Sequence, residues 1–264
     1  MIRRNRLKAN LRAGQKSFGM WLQSPDPTFA EITALAGFDF FIFDLEHGTG
    51  DVLTAVEVMR AAACTNSTAM IRVPSSDPIM LRRIADAGAE ALLVPMVETA
   101  EEAKKIVDAC RFPPLGKRGN AWDITRAAGY GIAKDYMERV HDELLVVVQI
   151  ETALGVENAR AIAEVDGVDV VFIGPTDLSG SIGLPGQTGA PEVEALIAEC
   201  CAAVAPTGKP LATVPRRGRT WQQCFDDGFA FVASGSDLHY FRVAAEAQFR
   251  DWQAYSAKAK AAAE

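Results

Sequence analysis

The chain has 264 residues, is 49% hydrophobic and carries a formal net charge of -7. That length and apolar content support a sizeable core, as one large domain or two small ones. The acidic balance argues against nucleic acid as the main partner, and no apolar run approaches the roughly 18 residues of a membrane span.

The five cysteines, Cys64, Cys110, Cys200, Cys201 and Cys224, are odd in number and form no C-x-x-C pair. A reduced, cytoplasmic protein is the expectation. The first 25 residues contain no acid and several Arg and Lys, a composition resembling a transit peptide. A strand-like run, Ser17-Phe-Gly-Met-Trp-Leu22, follows at once, so a short helix closing one end of the fold is the simpler expectation.

From there strand-like and helix-like patterns alternate, the signature of a parallel α/β fold. Strands are predicted near 17–22, 38–44, 68–73, 91–96, 144–151, 169–174, 209–214 and 229–234. Helices are predicted over 27–36, 51–63, 77–87, 99–110, 155–164, 191–205, 219–227 and 237–258. Asp77-Pro78 sets an N-cap before a first-turn proline, and Thr99-Ala-Glu-Glu102 fits a capping box. Gly37 and Gly88 stand where helices should end. Eight strands in order, with no linker or composition shift, predict an α/β fold: one (β/α)8 TIM barrel, a single domain over residues 1–264. The Pro- and Gly-rich excursion from Phe112 to Asp142 breaks the rhythm, which suits a functional or interfacial segment. The tail from Asp237 to Lys258 is too apolar on one face to be left exposed.

Barrel active sites sit at the strand C-termini. The fifth strand runs apolar from Leu144, then turns polar at Gln149 and Glu151, whose side chains leave the same face. The sixth ends in Gly174-Pro-Thr-Asp177. Two acids on successive strand tips, Glu151 and Asp177, read as a hard-metal site for Mg²⁺ or Mn²⁺, since no His/Cys cluster is available for zinc. Backbone N–H groups of Thr176 and Asp177 suit a carboxylate; Pro175 has none to offer. The second strand delivers Asp44, Glu46 and His47, and either acid would raise the basicity of His47, as a general base requires. His141 and His239 read as surface or packing residues. Arg72, inside the apolar third strand, must be paired or lie at the mouth, where its fork would hold an oxyanion or a carboxylate. Arg216, Arg217 and Arg219 read as solvated loop charges, or as a patch for an acidic substrate end.

Six segments, in order, together resemble the HpcH/HpaI aldolase family. They are Phe43-Asp-Leu-Glu-His-Gly48, Ile71-Arg-Val-Pro74, Ala89-Glu-Ala-Leu-Leu-Val-Pro-Met-Val97, Gln149-Ile-Glu-Thr152, Val171-Phe-Ile-Gly-Pro-Thr-Asp-Leu-Ser179 and Ala233-Ser-Gly-Ser-Asp-Leu238. The family comprises class II, metal-dependent pyruvate aldolases of the 4-hydroxy-2-oxo acid and 2-dehydro-3-deoxy-aldarate type, on a (β/α)8 barrel.

The resemblance implies Glu151 and Asp177 as ligands of Mg²⁺, Mn²⁺ or Co²⁺, with Gln149 supporting water at the metal. By the same resemblance Arg72 serves the keto or enolate oxygen, and Asp44 with His47 forms an acid–histidine dyad for proton transfer. Gly174, Thr176 and Asp177 match the turn holding the pyruvate carboxylate. Asp86 matches an acid that reaches a neighbouring subunit's site in a homohexamer, a trimer of dimers, with the C-terminal helix exchanged or packed between subunits. The implied reaction is reversible cleavage of a 4-hydroxy-2-oxo acid to pyruvate and an aldehyde through an enolate. The Gly116–Trp122 stretch and the arginine loop depart from the family pattern around the aldehyde, which leaves that substrate half open. Two rivals stand beside this reading. One is a CoA-thioester lyase of the citrate lyase beta or malyl-CoA lyase type, hinted at by the arginine loop alone. The other is a non-catalytic metabolite-binding barrel, against which intact Glu151, Asp177, Arg72 and His47 all speak.

Overall fold

Eight parallel strands close in sequence order into one barrel. They are β1 (Ser17–Leu22), β2 (Phe40–Asp44), β3 (Thr68–Arg72), β4 (Ala91–Val94), β5 (Leu145–Ile150), β6 (Val170–Ile173), β7 (Leu211–Thr213) and β8 (Phe231–Ser236). Helix α1 (Arg6–Arg12) precedes them. Between them run α2 (Pro27–Leu35), α3 (Val52–Ala62), α4 (Pro78–Asp86), α5 (Ala100–Cys110), α6 (Tyr136–Glu143), α7 (Ala153–Glu157), α8 (Ala159–Ala163), α9 (Pro175–Ser181), α10 (Pro191–Val204) and α11 (Trp221–Asp226). Helix α12 (Asp237–Ala261) follows β8. This computed structural model describes residues 3–261.

The start and stop signals act as the sequence suggests. Asp77 accepts the N–H groups of Ile79 and Met80 ahead of α4, and Thr99 with Glu102 forms the reciprocal capping box of α5. Gly37 and Gly88, at φ 96° and 95°, take the left-handed turn that ends α2 and α4. Two predictions differ. The helix expected over 155–164 is split into α7 and α8 at Asn158, whose side chain bonds to the Glu98 carbonyl at 2.9 Å. The turn expected after Gly174 is instead helical from Pro175.

Side chains alternate along each strand between two apolar layers. Phe40, Ile42, Leu93, Val147 and Phe172 fill the barrel interior, while Phe41, Phe43, Leu92 and Val148 pack outward against the helices. At the strand N-termini α1 closes the floor, as expected of that first segment. Leu7 joins the interior cluster, and the Asn5 amide donates to the carbonyls of Glu90 and Glu143. The Lys8 ammonium donates to the Leu144 carbonyl at 2.5 Å and pairs with Asp169 at 3.0 Å. Burial lowers the Lys8 pKa, and Asp169 opposes that shift.

Helix α12 does not fold back over the barrel along its length. Phe241, Phe249, Trp252 and Tyr255 are each more than half exposed. No helix among the described residues is long and apolar enough to cross a membrane.

Candidate active site at the barrel mouth

The register of β2 on β3 sets Asp44 beside Arg72. Their side chains meet in a two-pronged pair: Nε donates to Oδ1 at 2.9 Å and Nη2 to Oδ2 at 2.6 Å. Glu46 Oε2 stands 3.1 Å from Nη1, and the Trp21 ring lies 4.4 Å from the guanidinium carbon. Arg72 is thus both paired and at the mouth. Burial opposes ionisation of Asp44, but Arg72 and the N–H groups of His47 and Glu46 hold its pKa below the ordinary value. Glu46 moves the other way: burial raises its pKa beyond what Arg72 and His47 offset, and the charges of Asp44 and Asp177 add to the rise.

The expected Asp44–His47 dyad is not formed between side chains. Both Asp44 oxygens are taken by Arg72, and Oδ1 also accepts the main-chain N–H groups of Glu46 and His47. A two-pronged charge-assisted pair outcompetes an imidazole for those oxygens. The imidazole Nε2 instead stands 3.9 Å from Glu46 Oε2, with the ring largely in solvent. Of the two acids left open by the sequence, Glu46 is the neighbour.

The register of β5 on β6 pairs Ile150 with Ile173, which brings Glu151 beside Gly174. Glu151 Oε1 accepts the Met96 N–H at 2.8 Å, and Oε2 accepts the Gln149 amide. Met96 offers that N–H from a left-handed backbone, φ 55°, uncommon for a residue with a side chain. Burial pushes the Glu151 pKa up to about 7; the Met96 bond opposes this, and the charges of Asp177 and Glu46 add to it. A Cβ on Gly174 would lie 2.6 Å from Glu151 Oε2 and 2.8 Å from Gln149 Nε2, so the close approach needs glycine. The Thr176 and Asp177 N–H groups, in the first turn of α9, have no protein acceptor among the described residues.

These residues fit a hard divalent cation. Gln149 Oε1 is buried without a partner, and Glu151 faces a second carboxylate with too little positive charge to ionise at its usual pH. Among the described residues no three His, Cys, Asp or Glu side chains cluster as a metal cage. Two carboxylates with the remaining positions open to water and substrate match the coordination habit of Mg²⁺ or Mn²⁺.

A cavity of about 590 Å³ opens over this cluster. His47, Arg72, Gln149, Gly174, Thr176 and Asp177 all line it, with Glu151 beneath. Asp86 does not. It ends α4 at the opposite face of the barrel, where its Oδ1 accepts Nε and Nη2 of Arg118 at 3.0 and 2.6 Å. The sequence reading missed Trp21, an inward position of β1, and set aside His239. Both line the cavity, His239 with Tyr240 from the first turns of α12. The signal for His239 was its place just past the β8 tip. The arginine loop departs from the solvated expectation at one position. Arg216 holds Glu194 at 2.6 and 2.7 Å with its side chain 3% exposed, while Arg217 is exposed and Arg219, 42% exposed, lies 4.0 Å from Glu194 and 3.6 Å from Asp227.

The raised Glu151 pKa carries a sign that can be tested. A carboxyl raised from 4.5 to about 7 contributes stability that is full below the unfolded value and lost as pH rises through the folded one. Chelated protein should therefore lose up to about 3 kcal/mol between about pH 5 and pH 8, relative to Glu151→Gln, which does not titrate there. Denaturant melts of both proteins across that range read the difference. Parallel curves would mean that the Glu151 charge is already compensated by the protein.

A profile of the HpcH/HpaI aldolase/citrate lyase family matches residues 17–244, which takes in every strand of the barrel. A 4-hydroxy-2-oxovalerate aldolase of Novosphingobium aromaticivorans is 40% identical over 250 residues, 94% of this chain and 95% of that one. A 2-keto-3-deoxy-L-rhamnonate aldolase of Salmonella gallinarum is 37% identical over 255 residues, 96% of each chain. Among solved structures, an HpcH/HpaI aldolase/citrate lyase family protein from Burkholderia cenocepacia superimposes with a TM-score of 0.89 at 32% identity, covering 94% of this chain and 99% of that one. With the profile running from β1 into α12 and relatives 37% and 40% identical along nearly the whole chain, the chain belongs to the HpcH/HpaI aldolase/citrate lyase family.

Proposed function

We propose that the protein is a divalent-metal-dependent aldolase that reversibly cleaves a 4-hydroxy-2-oxo acid into pyruvate and an aldehyde. The observation that carries this reading is one cavity lined by Arg72, Gln149, Thr176 and Asp177, with the free N–H groups of α9 at its wall and buried Glu151 bonded to Gln149 behind it. Mg²⁺, Mn²⁺ or Co²⁺ held by Glu151 and Asp177 would supply Lewis acidity to the carboxylate and keto oxygens of the 2-oxo acid.

The protein's own groups do the rest. The Thr176 and Asp177 N–H groups hold the substrate carboxylate. Arg72, fixed by Asp44, Glu46 and Trp21, turns its remaining N–H donors to the keto oxygen, where negative charge grows. His47, at the rim beside Glu46, takes the proton of the 4-hydroxyl group. The C3–C4 bond then breaks, its electron pair forms the pyruvate enolate, and C4 leaves as the aldehyde carbonyl. Gln149 Oε1 steadies water in the site. Among the described residues no lysine lines the cavity, so none there offers a Schiff-base amine. The hint for a CoA-lyase is weakened at Arg216, which Glu194 holds, and rests on Arg217 and the partly exposed Arg219.

The reading extends to assembly. Asp86 is a third exposed and outside its own mouth, and α12 leaves a row of aromatic side chains uncovered. Both features support a homohexamer in which α12 packs on or exchanges with a neighbour and Asp86 serves that neighbour's site.

Three outcomes are expected. Exhaustive chelation should abolish cleavage, with recovery on adding Mg²⁺, Mn²⁺ or Co²⁺; full activity of chelated Glu151→Ala would end the metal assignment. Arg72→Lys should slow exchange of the pyruvate methyl protons on the order of a hundredfold, about 3 kcal/mol, while its melting temperature reports whether the fold survives. Exchange at the wild-type rate in a folded variant would leave Arg72 a purely structural role. Chains bearing Asp86→Asn, which keeps an acceptor for Arg118, should regain activity when co-assembled with Glu151→Ala chains. A monomeric mass by light scattering would sink the shared site.

A further inference from the structure

A second cavity, of about 420 Å³, lies at the end of the barrel opposite the mouth. It sits between the C-terminal ends of α3 and α4, the approaches to β4 and β5, and the Phe112–Asp142 excursion, and it shares no lining residue with the mouth. Its walls are short: Ala63, Ala69, Ala85, Ala89 and Ala127 all face it. A space of this size with apolar walls and a few polar groups is typical of small-molecule sites.

Three arginines reach the cavity, and they are not equivalent. Arg3 pairs with Glu90 at 3.1 Å and donates to the Thr65 carbonyl at 3.0 Å. Arg118, 1% exposed, holds Asp86 and donates to the Tyr136 hydroxyl at 3.1 Å. Arg126 forms no ion pair among the described residues. Its one side-chain bond is to the Ala87 carbonyl, at 2.7 Å. Gly88 allows that approach, since a Cβ there would lie 2.8 Å from the Arg126 Nη1. Most of this guanidinium's donors are left without a protein acceptor. Burial and the neighbouring Arg60 charge disfavour its cation, while Tyr130 and Glu90 partly offset them; a bound anion would add to that offset.

The other polar groups sharpen the ligand's chemistry. Tyr136 is 1% exposed; its oxygen accepts from Arg118, and its own O–H has no acceptor among the described residues. The acids are already engaged: Glu90 by Arg3, and Glu143 by the Asn5 N–H at 2.7 Å and Arg139 at 3.4 Å. The donors left without a partner are those of Arg126 and the Tyr136 O–H, and they face the alanine walls. We propose that the cavity binds a small organic monocarboxylate, with the carboxylate at Arg126 and the apolar body against the alanine walls. The cavity is separate from the mouth of its own barrel, though Arg118, which lines it, also holds Asp86.

Arg126 also caps the C-terminal end of α4, a role that alone would affect stability and not ligand binding. The test is a calorimetric titration of benzoate into the full chain with the mouth saturated by pyruvate and Mg²⁺, with benzamide as the uncharged match. Benzoate should bind and benzamide should bind far more weakly. Arg126→Gln, whose amide N–H retains a donor for the Ala87 carbonyl, should weaken benzoate by roughly ten- to a hundredfold. Ala63→Phe, which adds a ring from the exposed end of α3, should remove binding while the melting temperature stays near wild type; it decides the matter alone if Arg126→Gln does not fold. No benzoate binding under these conditions, equal affinity for benzamide, or unchanged affinity in the folded variants would overturn the proposal.

Discussion

Asp44, Glu46, Glu151 and Asp177 crowd the barrel mouth, and the guanidinium of Arg72 is the cation set among them. Buried like charges raise one another's pKa, and an adjacent cation lowers it. Arg72 gives its favour unequally. It grips Asp44 with two bonds and touches Glu46, so Asp44 stays ionised while Glu46 and Glu151 are pushed towards the neutral form. The local deficit of positive charge lies at Glu151, where an amide, one backbone N–H and an unpartnered Gln149 oxygen surround the carboxylate. A divalent cation, as proposed above, would answer that deficit.

The barrel backbone creates this crowding. Neighbouring parallel strands lie about 4.8 Å apart, so residues in register at adjacent strand tips meet whatever their distance in sequence. Asp44 and Arg72 are 28 residues apart yet paired by register. Glu151 and Gly174 are brought together by a step of the same kind between β5 and β6. Two local departures complete the geometry: the left-handed backbone of Met96, which aims an N–H at Glu151, and the missing side chain of Gly174, which lets the carboxylate lie against the start of α9.

The opposite end of the barrel is built by other means. Helix α1 closes the floor through Asn5 and Lys8, and the Phe112–Asp142 excursion folds over a small cluster of its own, with Arg118 lying 4.4 Å above the Phe112 ring. Its outer face shows Leu115, Ile124, Tyr130 and Ile132 to solvent, as α12 shows its aromatic residues. Apolar surface of this extent on two separate elements is the usual mark of protein–protein contact, which fits the assembly proposed above.

The order of the eight strands, the caps at Asp77 and Thr99, and the acids that follow the fifth and sixth strands were all determined by sequence. Hydrophobic period, proline and glycine are local signals, read without knowing what lies across the barrel. The identity of each partner was not. Nothing near Asp44 in the chain says that Arg72 will occupy both its oxygens and leave His47 to Glu46. Nothing near Arg216 says that Glu194, 22 residues earlier, will bury its charge. His239 and Trp21 likewise acquire their place only because β8 closes against β1. Ion pairs and cavity walls form between residues that the chain keeps far apart, so they depend on register and closure, which only the tertiary structure decides.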